Sequence, residues 1–85
     1  MSEAVDSVEI GEDLEVEVVL DENDEVVGAV VDDLIVATSA DGSVVDETID
    51  LLDADGNIVL EDEIIDVYDE NGELIAEAEV VTAVE

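Results

Sequence analysis

The sequence predicts an all-β domain: an antiparallel sandwich of about seven short strands, or a small β-barrel. Three observations predict it. Apolar and acidic residues alternate with period two in Leu14-Glu15-Val16-Glu17-Val18 and in Ala76-Glu77-Ala78-Glu79-Val80, the pattern of a half-buried strand. Val and Ile are abundant, and their branched Cβ suits a pleated sheet better than a helix. Turn signals punctuate the chain at regular intervals.

The turns come first because they set the register. Asp21-Glu22-Asn23-Asp24, Ala40-Asp41-Gly42-Ser43, Asp53-Ala54-Asp55-Gly56 and Asp69-Glu70-Asn71-Gly72 supply the residues that hairpin turns need at positive φ. Weaker breaks fall at Gly11-Glu12-Asp13, at Asp32-Asp33 and near Glu61-Asp62-Glu63. Strands are therefore expected near 7–10, 14–20, 25–31, 34–38, 44–51, 58–60, 64–68 and 73–82. A helix within 46–52 would favour the barrel. The segment Val19-Leu20-Asp21-Glu22-Asn23-Asp24-Glu25-Val26-Val27 resembles Val67-Tyr68-Asp69-Glu70-Asn71-Gly72-Glu73-Leu74-Ile75. Two strand–turn–strand units under the same constraints explain that likeness without a duplication. No linker divides the 85 residues, so one domain is expected over 1–85, with residues 1–6 disordered.

Composition excludes most chemistry. The chain carries 29 Asp and Glu, no Lys, Arg or His, and a formal charge of −29. All but one of the side-chain carboxyls must be protonated to balance the α-amino group, so the isoelectric point lies near about 2.5. There is no Cys, Pro, Trp or Phe. Besides Met1 and Tyr68, the alphabet is Ala, Asp, Glu, Gly, Ile, Leu, Asn, Ser, Thr and Val. Ordinary domains mix charges of both signs. This set resembles the one proposed for early, prebiotically available proteins, with Asn added and Pro dropped. It reads as an engineered reduced-alphabet protein, with Tyr68 serving as its only chromophore and no native biochemical activity expected. The N-terminus has neither a basic region nor an apolar core, so no signal peptide is expected. That fits recombinant expression in a cytoplasm. No apolar run reaches the roughly 18 residues of a membrane-spanning helix.

The order of turns also resembles a bacterial immunoglobulin-like domain of the kind found in tandem on surface adhesins. Ser7-Val8-Glu9-Ile10-Gly11-Glu12-Asp13-Leu14-Glu15-Val16 is similar to that family's first strand, Gly turn and second strand. Asp21 to Val31 resembles its D-x-N-G-x-P-V-x-G-A-x-V segment, with Asp24 where Gly is usual and Glu25 where Pro is usual. Leu52-Asp53-Ala54-Asp55-Gly56-Asn57 resembles its T-D-A-D-G-N turn, and Asp66 to Ile75 its last hairpin. The resemblance implies an immunoglobulin-like β-sandwich with Tyr68 in the place of the core aromatic. It also implies an alternative function: a structural or adhesive module of a halophile with weak Ca²⁺ binding. The opening Gly-Glu-Asp-Leu-Glu-Val also resembles the start of small barrels of the OB or SH3 kind, the competing fold.

No enzyme is expected. Ser2, Ser7, Ser39, Ser43 and the threonines have no His or Lys to act as base. The five glycines are dispersed at 11, 28, 42, 56 and 72, so no phosphate cradle forms. Nucleic acid and anionic membrane are repelled, because no cation replaces their counterions. No specific partner is implied, and the chain is expected as a monomer or an edge-paired homodimer. No cofactor is expected beyond weakly held Ca²⁺ or Mg²⁺. Candidate ligands are Asp53 and Asp55, which fall at positions 3 and 5 of an EF-hand-like loop, with Asp62 at position 12. Leu51 at position 1 cannot ligate. Asp32, Asp33 and the Glu61-Asp62-Glu63 run are the candidates for looser condensation.

Charge sets the conditions of folding. Exposed carboxylates a few Å apart repel by roughly 1 kcal/mol per pair in water. Folding crowds them and no cation offsets any pair, so stability is expected to rise with salt, which shortens the screening length to about 3 Å at 1 M. Acids on edge strands, among them Glu9, Glu77 and Glu79, are expected to oppose pairing with other chains.

Overall fold

A computed structural model describes residues 8–84; residues 1–6, for which disorder was expected, lie outside the described residues. The chain is all-β. Five strands, β1 (Glu9–Leu20), β2 (Val26–Ser39), β3 (Gly42–Asp53), β4 (Ile58–Asp69) and β5 (Leu74–Ala83), follow one another in an antiparallel meander. Strand order in space equals strand order in sequence, so β1 and β5 are the two edges.

Eight expected strands are five. The three weaker breaks run through strands: Gly11-Glu12-Asp13 lies within β1, Asp32-Asp33 within β2 and Glu61-Asp62-Glu63 within β4. The reason is the pleat. Neighbouring residues point to opposite faces, so two adjacent acids place one carboxyl on each side and break nothing. Residues 46–52 belong to β3, so the helix that would favour a barrel is absent.

Register divides the side chains between two faces. Leu14 lies opposite Asp33, which lies opposite Thr48, Glu63 and Val80 in turn. This is the Leu14 face. Glu15, Asp32, Ile49, Asp62 and Val81 form the next row, on the Glu15 face. On β1 the segregation is nearly complete: Ile10, Leu14, Val16 and Val18 lie on one side, broken only by Glu12, and Glu9, Asp13, Glu15 and Glu17 lie on the other. On the inner strands it fails. Asp33, Asp46, Asp50 and Glu63 interrupt the Leu14 face, and Asp32, Glu47, Asp62 and Asp66 interrupt the Glu15 face. Neither face is apolar enough to stack on a second sheet, and stacking requires an apolar inner face.

The structure therefore shows one open sheet where the sequence predicts about seven strands in two layers. Among the described residues no apolar side chain is buried; Ile10 is 72% and Leu14 60% exposed. The chain exposes 6117 Å², whereas a compact protein of its 9.0 kDa exposes about 4,900 Å². The core of Val, Ile, Leu and Ala that a sandwich needs does not form. The most enclosed position is Gly28 on β2, opposite Asp53. A Cβ there would lie 2.6 Å from the Leu52 carbonyl oxygen, so only glycine lets β2 and β3 approach.

Three of the four turns are one structure used three times. Asp21, Asp53 and Asp69 each close a five-residue loop. The Asp N–H donates to the carbonyl of the fifth residue, Glu25, Asn57 or Glu73, at 2.9 Å. The fourth residue's N–H donates back to the Asp carbonyl at 3.0–3.1 Å. That fourth residue is in the left-handed region: Asp24 at φ 64°, Gly56 at 87° and Gly72 at 83°. Each loop adds a bulge beside it, at Val19/Leu20, Leu51/Leu52 and Val67/Tyr68. This is the hairpin made of a turn, a left-handed residue and a bulge. The likeness seen between the first and third loops extends to the second.

Candidate functional site

The chemistry of this chain lies in its carboxyl groups, and the meander sorts them into six pairs. Each joins a Glu on one strand to an Asp on its neighbour. Two are direct cross-strand pairs, Asp50–Glu61 and Asp66–Glu77. Four are diagonal, two residues along the strand: Glu12–Asp33, Asp32–Glu47, Asp46–Glu63 and Asp62–Glu79. Every one of the four strand junctions carries at least one pair.

The two members differ. Asp is short and sits low between neighbours on β2, β3 or β4. In all six Asp residues Oδ1 is buried with no hydrogen-bond partner. Glu is longer and reaches across from the next strand. Two carboxylates cannot hydrogen-bond to each other, because neither has a donor. One proton changes this: a protonated Glu becomes the donor, and the Asp gains its missing partner. The hydrogen bond to Asp33 first, then its charge and some loss of hydration, push the Glu12 carboxyl above its ordinary value. The same causes in the same order raise Glu61 through Asp50, Glu63 through Asp46, Glu77 through Asp66 and Glu79 through Asp62. Glu47 is raised by its hydrogen bond to Asp32, then by burial, then by the charges of Asp32, Asp62 and Asp66. On the Glu15 face these groups form a continuous band, from Asp32 on β2 through Glu47 on β3 to Asp62, Asp66, Glu79 and Glu77 on β4 and β5.

Asp53 behaves oppositely. Its Oδ1 accepts the N–H groups of Asp55 and Asn57, both at 2.9 Å. Those backbone donors, Asn57 foremost, hold its carboxyl below the ordinary value against some desolvation. Asp21 and Asp69 make the matching bonds to Asn23 and Glu25, and to Asn71 and Glu73, at 2.7–3.0 Å.

The metal-ligand candidates are dispersed. Asp53 and Asp55 lie in the β3–β4 turn, where Asp53 is occupied by turn N–H groups. Asp62 lies on β4 on the Glu15 face, as does Asp32 on β2, while Asp33 points to the Leu14 face. Among the described residues no group of three or more Asp or Glu is arranged to hold a metal ion. The EF-hand spacing fails because a strand, not a loop, follows Asn57. The concavities are shallow grooves. The most apolar, about 360 Å³, runs past Tyr68 and is bordered by Ala37, Val44, Val67 and Ile75. Tyr68 is thus half-exposed at a bulge rather than within a core.

No family model matches the sequence. No curated protein and no solved structure matches it. The likeness to bacterial immunoglobulin-like domains rests on the turn segments quoted above.

Sequence reasoning missed the pairs although it held their key. Each Asp-led turn fixes the register of its hairpin. Counting outward from Asp69–Glu73, with one residue added for the bulge, sets Asp66 opposite Glu77. Counting from Asp53–Asn57 in the same way sets Asp50 opposite Glu61. The diagonal pairs needed the unbroken lengths of β1, β2 and β4.

Proposed function

We infer that the chain is a structural β module with no catalytic activity, an engineered protein that asks whether a cation-free, aromatic-poor early alphabet can specify a fold. One observation carries the structural part of this reading. Carboxyl pairs without a counter-charge cross every strand junction, so protons and dissolved cations, not a substrate, are what the molecule responds to. The engineered origin is supported by the alphabet itself.

A second reading is favoured by the threefold use of one Asp-led turn: a structural or adhesive module of a halophile that binds Ca²⁺ weakly. Far-UV circular dichroism melts at about 10 mM and about 2 M NaCl test the first reading. A rise in melting temperature with salt supports it, and an unchanged melt overturns it. Repeating the melt at about 5 mM CaCl₂ and about 5 mM MgCl₂ separates the two readings. Equal effects mean general screening. A Ca²⁺ effect well above that of Mg²⁺ favours the adhesive module.

A further inference from the structure

We propose that β5 is a self-complementary edge along which two copies of this chain join antiparallel, Val80 against Val80, to form one ten-stranded sheet. The backbone sets the register. The Val84 N–H donates to the Val59 carbonyl across the β4–β5 junction, and backbone direction alternates along an antiparallel strand. The polar groups of Thr82, Val80, Ala78 and Ala76 therefore point to β4. Those of Glu77, Glu79, Val81 and Ala83 point away from it, unpaired, at the edge of the sheet.

A two-fold axis at Val80 sets Glu79 of each copy opposite Val81 of the other, and Glu77 opposite Ala83. No acid then faces an acid across the junction. On the Leu14 face the junction is uncharged, with Ala78 opposite Thr82 around the central Val80. Moving the axis to Ala78 sets Glu77 against Glu79, and moving it to Glu79 sets that residue against itself. The other edge has no such solution. β1 carries Glu9, Glu12, Asp13, Glu15 and Glu17, and every two-fold register that pairs most of its length opposes acid to acid. An edge left hydrogen-bond-competent and sparsely charged is a template for strand addition.

The same edge is gated by acidity. Glu77 and Glu79 are its only acids, and both lean inward onto β4. Glu77 faces Asp66; Glu79 faces Asp62 and feels Glu77 beside it. Glu47 on β3, itself paired with Asp32, faces the same two aspartates from the other side. When each edge glutamate shares a proton with its aspartate, β5 presents a nearly neutral strip. When all are ionised, two such edges repel.

Sedimentation velocity on the full chain tests this, with far-UV circular dichroism on the same samples separating loss of the dimer from loss of the fold. Monomer is expected at pH 7 in low salt and dimer at about pH 4.5. Val81→Pro removes an outward N–H while leaving the β4 ladder intact. It is expected to weaken the dimer by about tenfold or more with an unchanged spectrum. The double substitution Glu77→Gln with Glu79→Gln is expected to carry the dimer to higher pH. Glu15→Gln with Glu17→Gln on β1, an equal change in charge, is expected not to. The proposal is overturned by a monomer at both pH values, by open-ended polymers, by a dimer that survives Val81→Pro, or by equal effects of the two double substitutions.

Discussion

Glu77 stands directly opposite Asp66 across the β4–β5 junction, at a position where the two strands exchange no backbone hydrogen bonds. Side chains approach most closely at such positions. Asp50 and Glu61 occupy the equivalent place between β3 and β4. An opposed pair of like charges is the unfavourable case of the cross-strand contact that normally stabilises a sheet. Here it turns favourable only when the pair holds a proton, and that single fact orders the expected behaviour.

Stability should rise as the solution is acidified from pH 7. The six paired glutamates have folded-state values above their ordinary 4.5. Their protonation favours the fold, so the gain is complete below the unfolded value and is lost as pH rises through the folded one. Asp53, whose value is lowered, contributes in the opposite sense and loses its contribution as pH falls through its folded value. Thermal melts between pH 7 and pH 3 should therefore pass through a maximum close to the ordinary glutamate value. A monotonic fall would contradict the pairing.

Replacing one member of a pair by its amide should mimic the proton. In Asp66→Asn the side-chain amide donates to Glu77, removing the repulsion and supplying the donor together. The melting temperature at pH 7 should rise by several degrees, and its dependence on pH should shrink. Asp24→Asn changes charge equally in a turn and serves as the comparison. If both substitutions act alike, net charge rather than pairing governs stability.

The turns give predictions of opposite sign. Asp24 adopts φ 64° where the equivalent loops have Gly56 and Gly72. Asp24→Gly should stabilise by up to about 1 kcal/mol, because a side chain is costly in that region and glycine is not. Asp69→Ala loses both Oδ1 bonds and should cost about 1–2 kcal/mol. Asp69→Asn keeps an acceptor and should cost less. Urea titrations of the four chains at fixed pH and salt would read these differences.

Gly28→Ala should destabilise by about 1–3 kcal/mol, because the new methyl would meet the Leu52 carbonyl rather than a movable side chain. Gly11→Ala meets nothing within 4 Å and should be neutral or slightly favourable within β1. Both are measurable in the same titration, and equal outcomes would mean that the close approach of β2 to β3 is not maintained in solution.

The strand class and the turns were legible in the sequence because both are local. Alternation in β1 and β5 needs only neighbouring residues, and Asp-x-Asn-Gly carries its own hydrogen-bonding logic. What was not legible depends on distance along the chain. Asp32-Asp33 and Glu61-Asp62-Glu63 look like interruptions to a reader of one strand at a time. They are continuous once each acid is assigned a face. The absence of a second layer follows from acids such as Asp46 and Asp62 occupying inner-strand positions on both sides, which only the register displays. Asp53 looked like a cation ligand because turn chemistry and ligand chemistry use the same carboxylate, and the N–H groups of Asp55 and Asn57 reach it first.

The meander has a kinetic corollary. Each strand touches only its neighbours in sequence, so no hairpin waits on a distant segment before it can close. Such a chain can nucleate at any of its loops and zip outward, as repeat arrays do. It should also fray from β1 and β5 inward, so that amide exchange is fastest at the two margins and slowest along β3.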